Sequence, residues 1–354
     1  MIRTIPNGVA RSLAALGLLA LSGLAAAADT LPERFADLYS AASKEGEVVF
    51  YNAYRKETNA ALSAFWRENF PDVALKIVQK QTLDLIPAIE AEKAAGATRP
   101  DVVLINEKSV ADDWVKRDFL EPYEVKEFHG IEPEFKQASG AYYVPTVFLL
   151  TAAYNTETYP DASALPKKLA DFADPKWKDQ LTFSDPKVAA SNLTFLIAFL
   201  DTKKTDWETL AKLAAQNILF NRGNAESVRI LASGERTLSP MTSSQNVVTA
   251  KEQGQPIDFY VLDEGAVVVE QQSAIFKGGP HPAAAKLLQE VLVSPEGQTL
   301  VAKAGSYWPT SEKATPPDRL PKLEDLKPLY ADVEIGGDEA KQVLAKFGEV
   351  FGRK

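Results

Sequence analysis

The sequence predicts an α/β protein whose sheets are mostly parallel and flanked by helices. Three observations carry this expectation. Strand-like and helix-like runs alternate along most of the 354 residues. One long extended run, Tyr142 to Tyr154, divides them into two α/β sets. Finally, 45% of residues are hydrophobic and none is cysteine, so stability must come from a buried core without disulfides.

Gly46-Glu47-Val48-Val49-Phe50-Tyr51 reads as a buried strand, rich in β-branched and aromatic residues. Asn59 to Phe70 carries Leu62, Phe65 and Trp66 at helical spacing and stops before Pro71. Val73 to Val78 is a second strand, Leu83 to Ala95 a helix closed by Gly96, and Asp101 to Ile105 a third strand behind Pro100. Strand ends in such sheets open onto a crevice where ligands bind. The loops after Phe50 and after Ile105 are therefore the first candidates for a site.

Tyr142 to Tyr154 contains Pro145, is too apolar for a loop and too β-branched and aromatic for a helix. It reads as a strand leaving one lobe and entering another. A second α/β set follows: a strand with its exit loop at 181–186, and helices from Ala189 to Leu200 and from Trp207 to Ala215. Short strands come at Asn217 to Phe220 and Thr237 to Ser239. Ile257 to Leu262 and Gly265 to Ile275 lead back to the first lobe. A proline-started helix spans 282–293, residues 312–327 form a surface excursion dense in proline and charge, and Asp338 to Phe351 closes the chain as a helix.

Ahead of these elements, Arg3 and Arg11 precede an apolar run from Leu13 to Leu24, then Ala25-Ala26-Ala27-Ala28 and Asp29. That order fits a secretory signal cleaved after Ala28, and the run is too short to span a bilayer. Removing residues 1–28 takes away two arginines and no acid, so 326 residues remain and the formal charge moves from −9 to −11. An acidic chain lacks the basic footprint that nucleic acid needs. A soluble monomer is expected.

Catalytic constellations are scarce. The chain has no cysteine nucleophile, no Gly-x-Ser-x-Gly elbow, no phosphate loop and no dinucleotide glycine fingerprint. Its two histidines, His129 in an acidic stretch and His281 at a helix start, exclude a multi-histidine metal site. Carboxylate pairs such as Asp112-Asp113 and Asp263-Glu264 leave an exported carboxylate-dependent hydrolase as the competing class, although solvated faces explain them as well. No enzyme activity, metal or cofactor is expected.

Several stretches, in order, resemble the periplasmic solute-binding proteins of ABC importers, in the branch that includes ferric-iron binders. They are Val48-Val49-Phe50-Tyr51-Asn52-Ala53-Tyr54, the strand to Ile105, and the run Tyr143-Val144-Pro145 through Asn155-Thr156. Asp174-Pro175-Lys176-Trp177-Lys178, Ser184-Asp185-Pro186, Ala232-Ser233-Gly234-Glu235 and Asp263-Glu264-Gly265 follow. The last are Lys277-Gly278-Gly279-Pro280-His281-Pro282 and Ser294-Pro295-Glu296-Gly297-Gln298. The resemblance implies a two-lobed fold with two hinge crossings, near Tyr143 to Tyr154 and Tyr260 to Gly265. On that pattern residues 29–146 and 263–354 form the first lobe with the C-terminal helices, and 147–262 the second. It also implies a periplasmic location, a small solute held between the lobes, and docking on a membrane permease.

Ferric binders of that branch use a neighbouring tyrosine pair where this chain reads Ser243-Ser244-Gln245-Asn246. Serine and amides cannot replace two phenolates on a hard cation, whereas they suit hydrogen bonds to an organic polar group. Candidate contacts from the first lobe are Tyr51, Asn52, Tyr54, Arg55, Asn106 and Glu107. Those from the second are Asp185, Ser191, Asn192, Asn221, Arg222, Ser243, Ser244 and Gln245. Ser191-Asn192 lies near a helix start, which favours an anion, and Arg55 and Arg222 have the fork geometry for carboxylate or phosphate. Asp185-Pro186 also fits a turn; Asp263 and Glu264 either face a ligand ammonium or cap the second hinge. The balance leans to an anionic or zwitterionic solute such as a phosphonate, phosphate ester, carboxylate or amino-acid-like compound. A polyamine would instead use Tyr51, Tyr54, Glu107, Asp185 and Asp263.

Overall fold

The computed structural model describes residues 30–353 apart from 127–128, 332 and 335, so the expected export signal lies outside it. Helices α1 (Leu31–Arg34) and α2 (Ala36–Glu45) lead into β1 (Glu47–Asn52), α3 (Lys56–Asn69), β2 (Ala74–Gln79), α4 (Thr82–Ala94), β3 (Val102–Ile105) and α5 (Lys108–Lys116). The long strand β4 (Tyr143–Asn155) opens a second set: β5 (Thr182–Ser184), α6 (Ala190–Asp201), α7 (Trp207–Ala214), β6 (Leu219–Asn221), α8 (Asn224–Ala232), β7 (Leu238–Ser243), α9 (Ser244–Glu252) and β8 (Ile257–Tyr260). The chain returns in β9 (Ala266–Ile275), α10 (Pro282–Val293) and α11 (Pro295–Gly305), with short strands β10 (Trp308–Pro309) and β11 (Pro328–Leu329) before α12 (Asp338–Val350).

Side-chain alternation explains why helices cover both faces of the first-lobe sheet. Val48 and Phe50 of β1, with Val102 and Leu104 of β3, join the core formed with Leu62 and Trp66 of α3. Tyr51, Val103 and Ile105 point the other way, against Leu85 and Ile89 of α4 and Trp114 of α5.

The sheet is mixed, which corrects the expectation of mostly parallel strands. β2, β1 and β3 pair in parallel, as do β5 and β6. The two crossing strands travel in opposite directions between the lobes, so β4 and β9 pair antiparallel from Tyr143↔Ser273 to Leu150↔Val267. β9 then lies antiparallel to β3, and the far half of β4 pairs antiparallel with β7 and β8. Pro145, which has no N–H for a central ladder, sits where the β4–β9 register shifts between Tyr143 and Thr146. At the second crossing Gly265 has φ +106°, and a Cβ there would stand 2.5 Å from the Lys327 carbonyl oxygen, so no other residue fits without strain.

Two further differences concern the C-terminal part. The 312–327 segment is no simple surface excursion, because Leu320, Leu323 and Leu326 return to the core around Trp308 and the Trp308 indole N–H donates to the Pro321 carbonyl at 2.9 Å. The last helix, grouped above with the first lobe, packs on α6 and α7 of the second. Phe347 and Phe351 meet the ring of Phe220, each with centroids 5.6 Å apart.

Candidate ligand-binding cleft

Each helix that follows a parallel strand begins at that strand's carboxyl end, and the two lobes bring two such edges face to face. A cleft of about 490 Å3 lies between them. Its wall includes the residue preceding each of six helices: Arg55 (α3), Gln81 (α4) and Glu107 (α5) from the first lobe, and Ala189 (α6), Gly223 (α8) and Ser243 (α9) from the second. None of these six caps its helix through a side chain. Elsewhere the same fold does cap: Asp206 on α7, Ser294 on α11, and the Glu45 carboxylate on the first N–H groups of α10. The cleft therefore gathers uncapped N–H groups and the positive ends of six helix dipoles, which is an arrangement suited to an anion.

Seven of the residues anticipated from sequence line this cleft: Arg55, Asn106, Glu107, Ser191, Arg222, Ser243 and Gln245. Arg55 crosses the cleft, donating to the Gln245 carbonyl at 3.1 Å and to Thr249 Oγ1 at 2.6 Å, with Glu57 3.5 Å away. Arg222 is exposed at the opposite rim, and its guanidinium has no partner among the described residues. Asn106 is oriented by a relay in which Thr146 Oγ1 donates to Gln271 Oε1 at 2.7 Å and Gln271 Nε2 donates to Asn106 Oδ1 at 3.4 Å. Ser191 Oγ accepts from Asn224, and Ser243 Oγ from Asn246. Gln245 Oε1 and Thr82 Oγ1 are buried without a partner among the described residues. Burial pushes the Glu107 carboxyl up to about 8, so at neutral pH it is largely uncharged. Charge in the wall is then the cationic Arg55, Lys56 and Arg222 against Glu57.

The other nine anticipated residues stand outside the lining. Tyr51 directs its hydroxyl to Glu92 at 3.2 Å. Asn52 Oδ1 accepts the Tyr54 N–H, and the Tyr54 ring stacks on Tyr307 at 5.8 Å behind the wall. Asp185 is neutralised by Arg353 at 3.0 Å and shapes the turn before α6 by accepting the Lys187 N–H. Asn192 is fully buried one residue inside the wall, with no partner for either amide atom among the described residues. Asn221 braces the loop before α8 from beneath, in a network with Thr182, Ser184 and Ser227. Ser244 accepts the Leu149 N–H. Asp263 lies 3.9 Å from Lys327, and Glu264 accepts the Leu169 N–H, so both serve the second crossing.

Some wall residues were not anticipated. Gln79, Gln81 and Thr82 leave β2, and the strand-exit rule that selected the loops after β1 and β3 applies to them equally. Gln271 in mid-strand and Tyr307 before β10 carry no local signal. Tyr142 and Tyr143 pack in the first lobe, bonded to Asp112 and to the Tyr123 carbonyl. Among the described residues no group of three His, Cys, Asp or Glu side chains is spaced to hold a metal ion. The two histidines are bound to acids away from the cleft, His129 to Glu290 at 2.5 Å and His281 to Asp101 at 2.8 Å.

A family model described as bacterial extracellular solute-binding protein matches residues 60–328. A protein of Haemophilus influenzae described only as uncharacterized is 26% identical over 194 residues, spanning 52% of this chain and 56% of that protein's length. An Fe(3+)-binding periplasmic protein of Serratia marcescens is 21% identical over 319 residues, 87% of this chain and 92% of the relative. Among solved structures, the periplasmic binding protein AfuA from Actinobacillus pleuropneumoniae, with exogenous fructose-6-phosphate bound, superposes with a TM-score of 0.74 at 22% identity over 87% of this chain and 99% of that one.

Proposed function

Because this chain belongs to the bacterial extracellular solute-binding protein family, we propose that it is the periplasmic substrate-binding component of an ABC importer and that its solute is a small anionic or zwitterionic molecule. The lobes close on the solute, and a membrane permease receives it. On this reading the lobes divide near residues 146 and 262, with α12 assigned to the second lobe by its packing. The signal expected at 1–28 delivers the chain across the inner membrane.

The observation that carries the reading is the convergence of six helix starts on one cleft, with no side chain capping any of them. Each has N–H groups to spare, and an oxyanion satisfies several at once. Arg222, unpaired at the rim, supplies a bidentate fork. Ligand chemistry varies within this fold: the Serratia marcescens relative is named for Fe(3+), and the AfuA structure holds fructose-6-phosphate. Ferric iron fits poorly here, because Tyr307 is the tyrosine in the wall and it is buried and stacked on Tyr54. A polyamine fits poorly too, because Asp185 and Asp263 face cations of the protein itself. No nucleophile with an activating base lines the cleft, which supports binding without turnover.

The test is a thermal-shift screen of the chain from Asp29 onward against ferric iron, phosphate esters, phosphonates, organic acids and polyamines. An anion at a hundredfold excess over its Kd adds about 3 kcal/mol of stability. Stabilisation by iron or polyamines, with none by any anion, overturns the reading.

A further inference from the structure

Glu107 stands on the partition between two cavities. The cleft is one; the other, about 340 Å3, is walled by Lys108, Thr194, Glu270, Gln272 and Tyr330. Alternate residues of a strand point to opposite faces, so Gln271 faces the cleft while Glu270 and Gln272 face the second cavity. Glu107 touches both spaces yet is only 3% exposed. Its carboxyl has no hydrogen-bond or ion-pair partner among the described residues, and burial is the whole cause of its perturbation.

Resting on the anionic-solute reading, we propose that Glu107 is a specificity residue: it keeps its proton in the cleft and donates it to an oxygen of the solute, so that this point of the site selects an oxyanion over an ammonium group.

The charged and titratable groups around it explain why. On the cleft side these are Arg55, Lys56, Glu57 and Arg222; on the other side, Lys108, Glu270 and Tyr330. Arg55 is committed to Gln245, Thr249 and Glu57, and Lys108 reaches Asp112 at 2.7 Å. None of the cations is bonded to Glu107, so an ionised carboxylate there lacks a counter-ion in a dry setting. It would also face solute oxygens drawn in by the helix starts, and like charges repel. The neutral acid avoids both costs and offers an O–H donor. The upward displacement of its ionisation to about 8 agrees with that geometry.

The experiment is calorimetric binding of fructose 6-phosphate, methylphosphonate and inorganic phosphate to the chain from Asp29 onward, at pH 7 and pH 9, beside Glu107→Gln. For the wild type, affinity for the probe that binds falls about tenfold between the two pH values, following the protonated fraction. In Glu107→Gln, which donates at either pH, that fall is removed relative to the wild type. A second measurement compares the two proteins: at pH 7, in two buffers of different ionisation enthalpy, the wild type releases no more proton on binding than Glu107→Gln, whose exchange comes from the probe's own second ionisation. Release of about one proton per solute beyond that of Glu107→Gln shows Glu107 ionising against a cation and overturns the donor role. A pH fall that persists in Glu107→Gln overturns it as well. If the wild type binds none of the three, phosphates and phosphonates are excluded as solutes and the donor role to their oxygens falls; the anionic-solute reading itself fails only when the organic acids of the thermal-shift screen fail as well.

Discussion

Arg55 and Arg222 both follow strands and both line the cleft, but their surroundings give them different work. Arg55 spends its donors on the other lobe, at Gln245 and Thr249. Arg222, at the rim, has no partner for its guanidinium among the described residues. Arg222→Ala is therefore expected to weaken anion binding about tenfold or more, the scale of a charge-assisted hydrogen bond, while leaving the melting temperature of the empty protein nearly unchanged. Titration calorimetry and a melting curve check the two halves. Glu107 makes a separate prediction in the empty protein. Its folded ionisation lies near 8, above its ordinary 4.5. Between those values the folded state holds one more proton than the unfolded chain. Its contribution to stability is full below pH 4.5 and is lost as pH rises through about 8. Urea midpoints measured from pH 5 to pH 8.5 should fall less steeply in Glu107→Gln than in the wild type.

Helix starts are where stability and binding pull against each other. A side chain capping α8 at Gly223 would satisfy its first N–H groups, yet Gly223 leaves them to the cleft. Its φ of 177° is extended, and a Cβ there meets nothing within 4 Å, so another residue fits. Gly223→Asp is expected to stabilise the empty protein by a few tenths of a kcal/mol through capping and the helix dipole. The same carboxylate occupies the anion's donors and repels it, so affinity should drop at least about tenfold. A chemical melt and a binding isotherm on one sample check this; a rise in affinity would show that the solute presents a cation to α8.

Across the whole molecule, three connections join the lobes: β4, the link ending at Gly265, and the segment from β11 to α12. β4 and β9, the strand that begins just after Gly265, are paired side by side. Arg55 adds a bond between lobes that is independent of any solute. Arg55→Ala should shift the empty protein toward a wider separation, read as a larger radius of gyration by solution scattering, and a saturating anion should reverse much of it. An unchanged radius with and without anion would remove Arg55 from the control of closure.

What the sequence determined by itself is local. Runs of β-branched and aromatic residues located β1 to β3 and the crossing strand, and helical spacing located α3, α4, α6 and α7, since the composition and spacing of apolar residues reflect which surfaces are buried. The strand-exit rule pointed to the loops holding Arg55, Asn106 and Glu107, because backbone direction dictates where a following helix begins. The tertiary structure decided what depends on distant neighbours. Only folding shows that β4 and β9 run past one another, which makes the sheet mixed. Only folding brings Arg353 onto Asp185, 168 residues away, and so removes that acid from the cleft. The upward displacement of the Glu107 ionisation is likewise invisible in Asn106-Glu107-Lys108, because it comes from burial in the folded chain.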